Sequence, residues 1–368
     1  GFNGTYSSKV PFLTRLVNKL PNINSDVESN ISFKTEFAYL HSGTPKNSGF
    51  DNVATVYVDD FEGSETNIDL KDTSSWNLSS TPIGVEGSQF GTDDLRTGFN
   101  RAKLAWYNID PIFYTRQRPS EISDNEISKN ETRRIFIEEI FPQQDIVQGQ
   151  SRIQNTFDLS FFPNEKGPYN NNLNQDFLNN SKSNWAGITR DLSSTNFEKA
   201  NVEFIQFWLL DTFSDNDSNL NNLGNLVLNL GNISEDILKD GKKLYENGLP
   251  IVNSPEIVNE SNWGKTPATQ SLIYSFDSDE NNRVLQDLGY DGLNDIQEID
   301  KYNNGSSNDP AGDNYQYYID ANGGILNRYK NYNGTQGNSP INVGNTGRGS
   351  TTVPDNEDVN QDNTMNTI

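Results

Sequence analysis

Fifty-three of the 368 residues are asparagine. Asparagine tolerates left-handed backbone and closes turns with its own side chain, so the first expectation is a loop-rich β protein. Only 32% of residues are hydrophobic. Such a chain would stay unfolded but for its 20 Phe, 15 Tyr and 5 Trp, which can build cores from few residues. The length fits about two domains, or one large domain with insertions.

The same composition excludes chemistry. There is no Cys, so no disulfide, Cys-ligated zinc, iron–sulfur cluster or thiol nucleophile. The one His, His41, lies in the turn-like HSGTP, and a multi-histidine metal site is impossible. A net charge of −23 argues against nucleic acid, whose phosphates need Lys and Arg. Calcium remains, because it wants oxygen ligands. No run of about 18 apolar residues is present to form a transmembrane helix. Residues 1–20 lack the charged start and apolar middle of a signal peptide. The chain begins Gly-Phe-Asn, which reads as a mature region or an excised piece.

Residues 11–20 (PFLTRLVNKL) predict a short amphipathic helix with Pro in its first turn. Residues 31–40 (ISFKTEFAYL) alternate, with Phe33, Phe37 and Tyr39 opposite Lys34 and Glu36, which is a strand pattern. TVYVDDFEGS (55–64) reads as a strand ending in acids and glycine. The apolar run VEFIQFWLL (202–210) predicts a strand buried on both faces, and NLVLNL (225–230) another strand. Short strands, Gly/Asn turns and long connections point to a β-sandwich. SEDILKDGKKLYE (234–246) predicts a helix with Ser234 as cap, early acids and later lysines. Residues 299–368 read as loops wrapped over something rather than a separate core. No fixed-period repeat is visible.

The strongest local signal is DLGYDGLNDIQE, 287–298. Set against a twelve-residue calcium loop, Asp287 falls at position 1, Asp291 at 5, Gly292 at 6, Asp295 at 9 and Glu298 at 12. Position 3 is Gly289, so one usual side-chain ligand is absent. The same spacing also describes a solvated turn entering a helix with an acidic first turn. Acids at alternate positions recur at 215–219, 277–281 and 358–362, and these read as solvated turns. Asp59-Asp60-Phe61-Glu62-Gly63 with Trp76 allows a structural calcium and a sugar-stacking aromatic, or a β-bulge and a core Trp. Carboxylate pairs for glycosidase chemistry have no supporting residue beyond the abundance of acids.

Segments in order along the chain carry a further signal. They include PFLTRLVNKLPNI (11–23), SFKTEFAYL (32–40), VYVDDFEGSETNIDL (56–70), RAKLAWYNIDPIF (101–113) and TFDLSFFPNEKGPYN (156–170). VEFIQFWLLDTF (202–213), GNISEDILKDGKKLYENGLP (231–250), GYDGLNDIQE (289–298), NDPAGDNYQYY (308–318), NGTQGNSP (333–340) and PDNEDVNQDNT (354–364) follow. Together they resemble the SprA/Sov family of Bacteroidetes gliding-motility and secretion proteins, nearly end to end.

The resemblance implies an internal fragment of the type 9 secretion translocon, a very large outer-membrane β-barrel that passes folded cargo to the cell surface. It implies a mainly β fold in three parts. Residues 1–50 supply a short helix and a barrel-type strand. Residues 51–298 form a β-sandwich-like insertion, as cap or lumen lining, with a helix near 234–246. Residues 299–368 are a loop-rich segment leading back to a barrel strand. The implied role is non-catalytic protein transport. The implied partners are a PorV-type shuttle protein, a plug protein and cargo with a C-terminal signal domain. An acidic, Asn-rich wall suits that role, since folded cargo must pass without sticking. The alternative is a carbohydrate-binding or adhesion sandwich at the cell surface. Calcium at Asp287, Asp291, Asp295 and Glu298 is compatible with both.

Overall fold

The computed structural model describes residues 2–20, 28–37, 39, 68–174, 176–192, 197, 202, 204–212, 224–246, 249, 258–269, 275–286, 289–302, 307–331 and 354–367. The chain divides into two compact units, Gly1–Glu65 and Thr66–Ile368.

In the first unit, β1 (Phe2–Lys9) pairs antiparallel with β2 (Asn30–Phe37). The register sets Phe2 opposite Phe37, Tyr6 opposite Phe33 and Ser8 opposite Ile31. Period-2 alternation therefore places Tyr6, Ile31, Phe33 and Phe37 on one face, and Ser7, Asn30, Ser32 and Lys34 on the other. Helix α1 (Pro11–Val17) opens with Pro at its first turn, where the missing N–H costs nothing. Ser29 N–H donates to Thr14 Oγ1 at 2.7 Å, which ties the helix to the entry of β2. The alternation expected at 31–40 is a strand, ending at Phe37. Its partner β1 is too polar to have been read from pattern.

The second unit is β-rich but built of small pieces. β3 (Asn77–Leu78) pairs with β8 (Ile188–Thr189), and β4 (Ala102–Tyr107) with β7 (Asp158–Lys166). β5 (Ile135–Phe136) pairs with β6 (Ile153–Gln154), and β9 (Val258–Glu260) with β10 (Lys265–Pro267). Among the described residues every sheet has two strands. The two facing sheets of the expected sandwich are not formed there. Short helices intervene: α2 (Ile137–Ile140), α3 (Asp176–Asn179), α4 (Glu280–Arg283), α5 (Asp295–Tyr302) and α6 (Ile325–Arg328).

Aromatic residues supply the core that aliphatic ones are too few to build. One cluster joins Ala105 and Tyr107 of β4 to Phe113, Ile122, Tyr317, Tyr318, Ile325 and Tyr329. Tyr329 stacks on Tyr107 at 4.0 Å between ring centres and on Tyr318 at 4.6 Å. Its hydroxyl donates to Asn108 O at 3.2 Å and accepts from Asp110 N–H at 3.0 Å. A second cluster gathers Tyr169, Ile237, Leu238, Leu244, Trp263, Tyr290 and Ala311. Residues 311–329 are thus woven into the core rather than laid over it.

Two sequence expectations need correction. Residues 234–246 are not a helix: Asp236 Oδ1 accepts from Asp240 N–H and Oδ2 from Gly241 N–H, each at 2.9 Å. With Lys239 at φ +49° and Gly241 at φ +73°, the side chain has taken the backbone donors a helix would need. Residues 204–210 and 225–230 are neither strand nor buried: Phe204, Trp208, Leu209 and Val227 stand exposed. Apolar density alone predicts burial, and no strand partner among the described residues covers them. The strand expected at 55–64, the acid cluster Asp59 to Gly63, His41 and the run 215–219 lie outside the described residues.

Candidate metal centre

The calcium-loop spacing is only partly a contiguous site. Asp287, at its first position, lies outside the described residues. From Gly289 on the chain turns sharply, with Gly289 at φ +60° and Gly292 at φ +65°. Left-handed backbone at position 6 is what that loop type requires of its glycine. Any Cβ at Gly292 would also stand 2.4 Å from Lys265 O. Asn294 then caps α5: its Oδ1 accepts from Gln297 N–H, and Gln297 Oε1 accepts from Asn294 N–H. This reciprocal cap fixes the first turn of α5 and so aims Asp295 and Glu298.

Two groups of carboxylates converge. Asp291, Glu298 and Asp313 have oxygens within 4.8 Å of one another, and so do Asp295, Glu298 and Asp309. Glu298 belongs to both. Positions 5 and 12 thus meet in one group and positions 9 and 12 in the other, with Glu298 common to both. Asp309 and Asp313 come from a segment the loop spacing cannot reach. Gly289 explains why: a Cβ there would lie 1.8 Å from Asp313 Oδ2. The carboxylate of Asp313 occupies the space of the missing position-3 side chain.

Asp291 and Glu298 are removed from water, while Asp295, Asp309 and Asp313 are half-buried. Asp291 and Glu298 are each 1% exposed. Glu298 Oε2 accepts from Ala311 N–H at 2.8 Å, and Asp291 Oδ1 from Leu293 N–H at 2.9 Å. Tyr302 hydroxyl donates to Asp291 Oδ2 at 3.3 Å and also to Trp263 O. Asn314 Nδ2 donates to Asp295. Lys301 near Asp291, and the buried Lys103 near Asp309 and Asp313, offset part of this negative charge. Burial, with Glu298 beside it, drives the Asp291 carboxyl well above the usual range. Burial, with Asp309 and Asp295 adding to it, pushes Glu298 up to about 7. Burial and Asp309 raise Asp295 as well. Carboxylates this close are relieved by protons, by neighbouring lysines or by a shared cation. The donor set is all oxygen, which suits calcium or magnesium and not a softer metal.

Substitution at Gly289 tests this arrangement. Gly289→Ala adds a strained φ and a clash with Asp313, and should lower stability by about 2 kcal/mol in a denaturant titration. An unchanged midpoint would mean that Asp313 does not sit against Gly289.

Among the described residues, the other candidates are not brought into a site. Trp76 is half-buried; its indole N–H donates to Leu70 O at 2.9 Å, and its ring packs on Phe157 and under Arg190. It is a packing residue rather than a sugar platform. In the run 277–281, Asp277 Oδ1 accepts from Asp279 N–H and Asp279 Oδ1 from Asn281 N–H, so these acids close their own turns.

Residues 290–368 match the model of the SprA_N family, described as a motility related/secretion protein. Over residues 290–368 the chain is similar to that family. Asp291, Asp295, Glu298, Asp309 and Asp313 all fall inside the SprA_N match. No curated protein matches the chain. The family's description fits motility and secretion, and with them a place in the cell envelope.

Proposed function

We propose that the chain is a non-catalytic part of an outer-membrane translocon that exports folded cargo to the cell surface, as in type 9 secretion and gliding motility. The SprA_N match carries the secretion half of this reading. The β1–β2 hairpin supports the membrane half. Its face of Tyr6, Ile31, Phe33 and Phe37 is 65%, 46%, 62% and 62% exposed, while the other face is polar. Apolar-out, polar-in alternation with aromatic residues is the pattern of a barrel wall facing lipid. The proposed partners remain a PorV-type shuttle, a plug protein and cargo bearing a C-terminal signal domain.

The membrane half is tested on the two faces of the hairpin. Phe33→Arg with Phe37→Arg should strip the protein from the outer-membrane fraction, since each cation on a lipid face costs about 2–4 kcal/mol near the bilayer midplane. Ser7→Arg with Ser32→Arg, on the opposite face, should leave the fraction unchanged. Equal tolerance on both faces would remove the hairpin from the barrel wall.

Within this reading the carboxylate centre is a structural calcium site. Glu298 bridges Asp291 and Asp313 on one side and Asp295 and Asp309 on the other. A bound cation would join α5 to residues 309–313 and so pin the SprA_N region to its own core. Its role is rigidity: a wall that cargo passes must keep its shape.

A further inference from the structure

Two distant segments of the chain share a sequence pattern and a set of hydrogen bonds. Glu235-Asp236-Ile237-Leu238-Lys239-Asp240-Gly241 and Glu357-Asp358-Val359-Asn360-Gln361-Asp362-Asn363 both read Glu-Asp-x-x-x-Asp followed by Gly or Asn. In the first, Asp236 binds the amides of Asp240 and Gly241. In the second, Asp358 binds the amides of Asp362 and Asn363, at 3.0 and 2.8 Å. Asp240 Oδ1 accepts from Lys242 N–H, and Asp362 Oδ1 accepts from Thr364 N–H. Lys239 and Gly241 have φ +49° and +73°; Gln361 and Asn363 have φ +57° and +65°. Every correspondence uses the one shift that carries Glu235 onto Glu357.

The two loops also bind each other reciprocally. Glu357 Oε1 accepts from the amides of Ile237 and Leu238, at 2.8 and 3.3 Å, and Oε2 from Leu244 N–H at 2.9 Å. Glu235 Oε1 accepts from the amides of Val359 and Asn360, at 3.1 and 3.2 Å, and Oε2 from Asn366 N–H at 3.1 Å. Glu357 N–H donates to Leu244 O, and Glu235 N–H donates to Asn366 O. Under the shift Leu244 maps to Asn366, so each of these main-chain contacts has its mirror; the Lys243–Asp358 ion pair, at 3.5 Å, has none, since Lys243 maps to Met365. Both glutamates are buried, and backbone donors converging on a buried carboxylate form a specific anion seat.

We propose that residues 235–244 and 357–366 are two copies of one pairing loop, each both seat and ligand. The partner this surface fits is a segment bearing Glu-Asp-x-x-x-Asp-Gly/Asn, and within the chain each copy is that partner for the other. The first copy lies outside the SprA_N match and the second inside it, so the clasp ties the matched region to the segment before it. Tyr245 bridges antiparallel to Asn356, and Glu246 N–H donates to Asp355 O at 3.0 Å. Glu246 and Asp355, at the two ends of the intervening span, are thus held side by side.

Hydrogen exchange on the whole chain, read by amide, tests the reciprocity. Glu357→Gln replaces one acceptor oxygen by a donor. It should raise exchange about tenfold at Ile237, Leu238 and Leu244, in the other loop. Glu235→Gln should do the same at Val359, Asn360 and Asn366. If a glutamine variant loses its fold, Glu357→Asp and Glu235→Asp, which keep the charge but retract it, should refold with the same crossed pattern. Exchange raised only in the loop that carries the substitution, or from one glutamate and not the other, would overturn the pairing.

Discussion

Tyr329→Ala is expected to destabilise the second unit by about 4 kcal/mol. The ring is fully buried and lies between Tyr107 and Tyr318, with Phe113 at its edge. Removing it leaves a ring-sized cavity and strips Asp110 N–H and Asn108 O of their shared partner. The check is a urea titration followed by tyrosine and tryptophan fluorescence. A loss below about 1 kcal/mol would mean that the aromatic cluster is not the core of the unit.

The second large effect concerns pH and calcium together. In the absence of a cation, the folded-state pKa of Glu298 is raised from the ordinary 4.5 to about 7. A raised carboxyl stabilises the fold while both states are protonated, below the ordinary value. That contribution is lost as pH climbs through about 7. Asp291 is shifted in the same direction and adds to the slope. With chelator present, the wild-type chain should therefore lose roughly 3 kcal/mol between pH 4.5 and 8. Calcium binds the ionised carboxylates, so its stabilisation should grow across that window. At a hundredfold excess over Kd it should restore about 2.7 kcal/mol. Glu298→Gln keeps the shape and the bond to Ala311 without the charge. In chelator at pH 8 it should melt above wild type, and calcium should not shift it. A wild-type melting temperature indifferent to calcium at pH 8 would reject the cation site.

The parts of this molecule legible in sequence are those fixed by local period. The alternation through Phe33 and Phe37 and the Pro-led turn at Pro11 each need only their own neighbours, and both elements form. The spacing of a calcium loop is a local rule, and it singles out Asp291, Asp295 and Glu298, which lie in the two carboxylate groups; Asp287 lies outside the described residues. Asp309 and Asp313 were not legible, since the fold delivers them from a remote segment. Their one local trace is the glycine standing where a ligand was expected. The helix read at 234–246 failed through a particular side chain: Asp236 out-competes the helix for the amides of Asp240 and Gly241. The pairing loops escaped a search for fixed-period repeats, because two copies make no period. Tyr317, Tyr318 and Tyr329 sit in an Asn- and Gly-rich stretch whose composition speaks of loops. Only their contacts with Ala105, Tyr107 and Phe113 reveal a core.

The most direct test of the export role is cargo secretion by cells whose own copy of this protein lacks residues 66–368, with its abundance in the outer membrane measured in the same samples. The account predicts that the shortened protein is present in the outer membrane and that cargo stays inside the cell. Normal secretion with the second unit absent would contradict it.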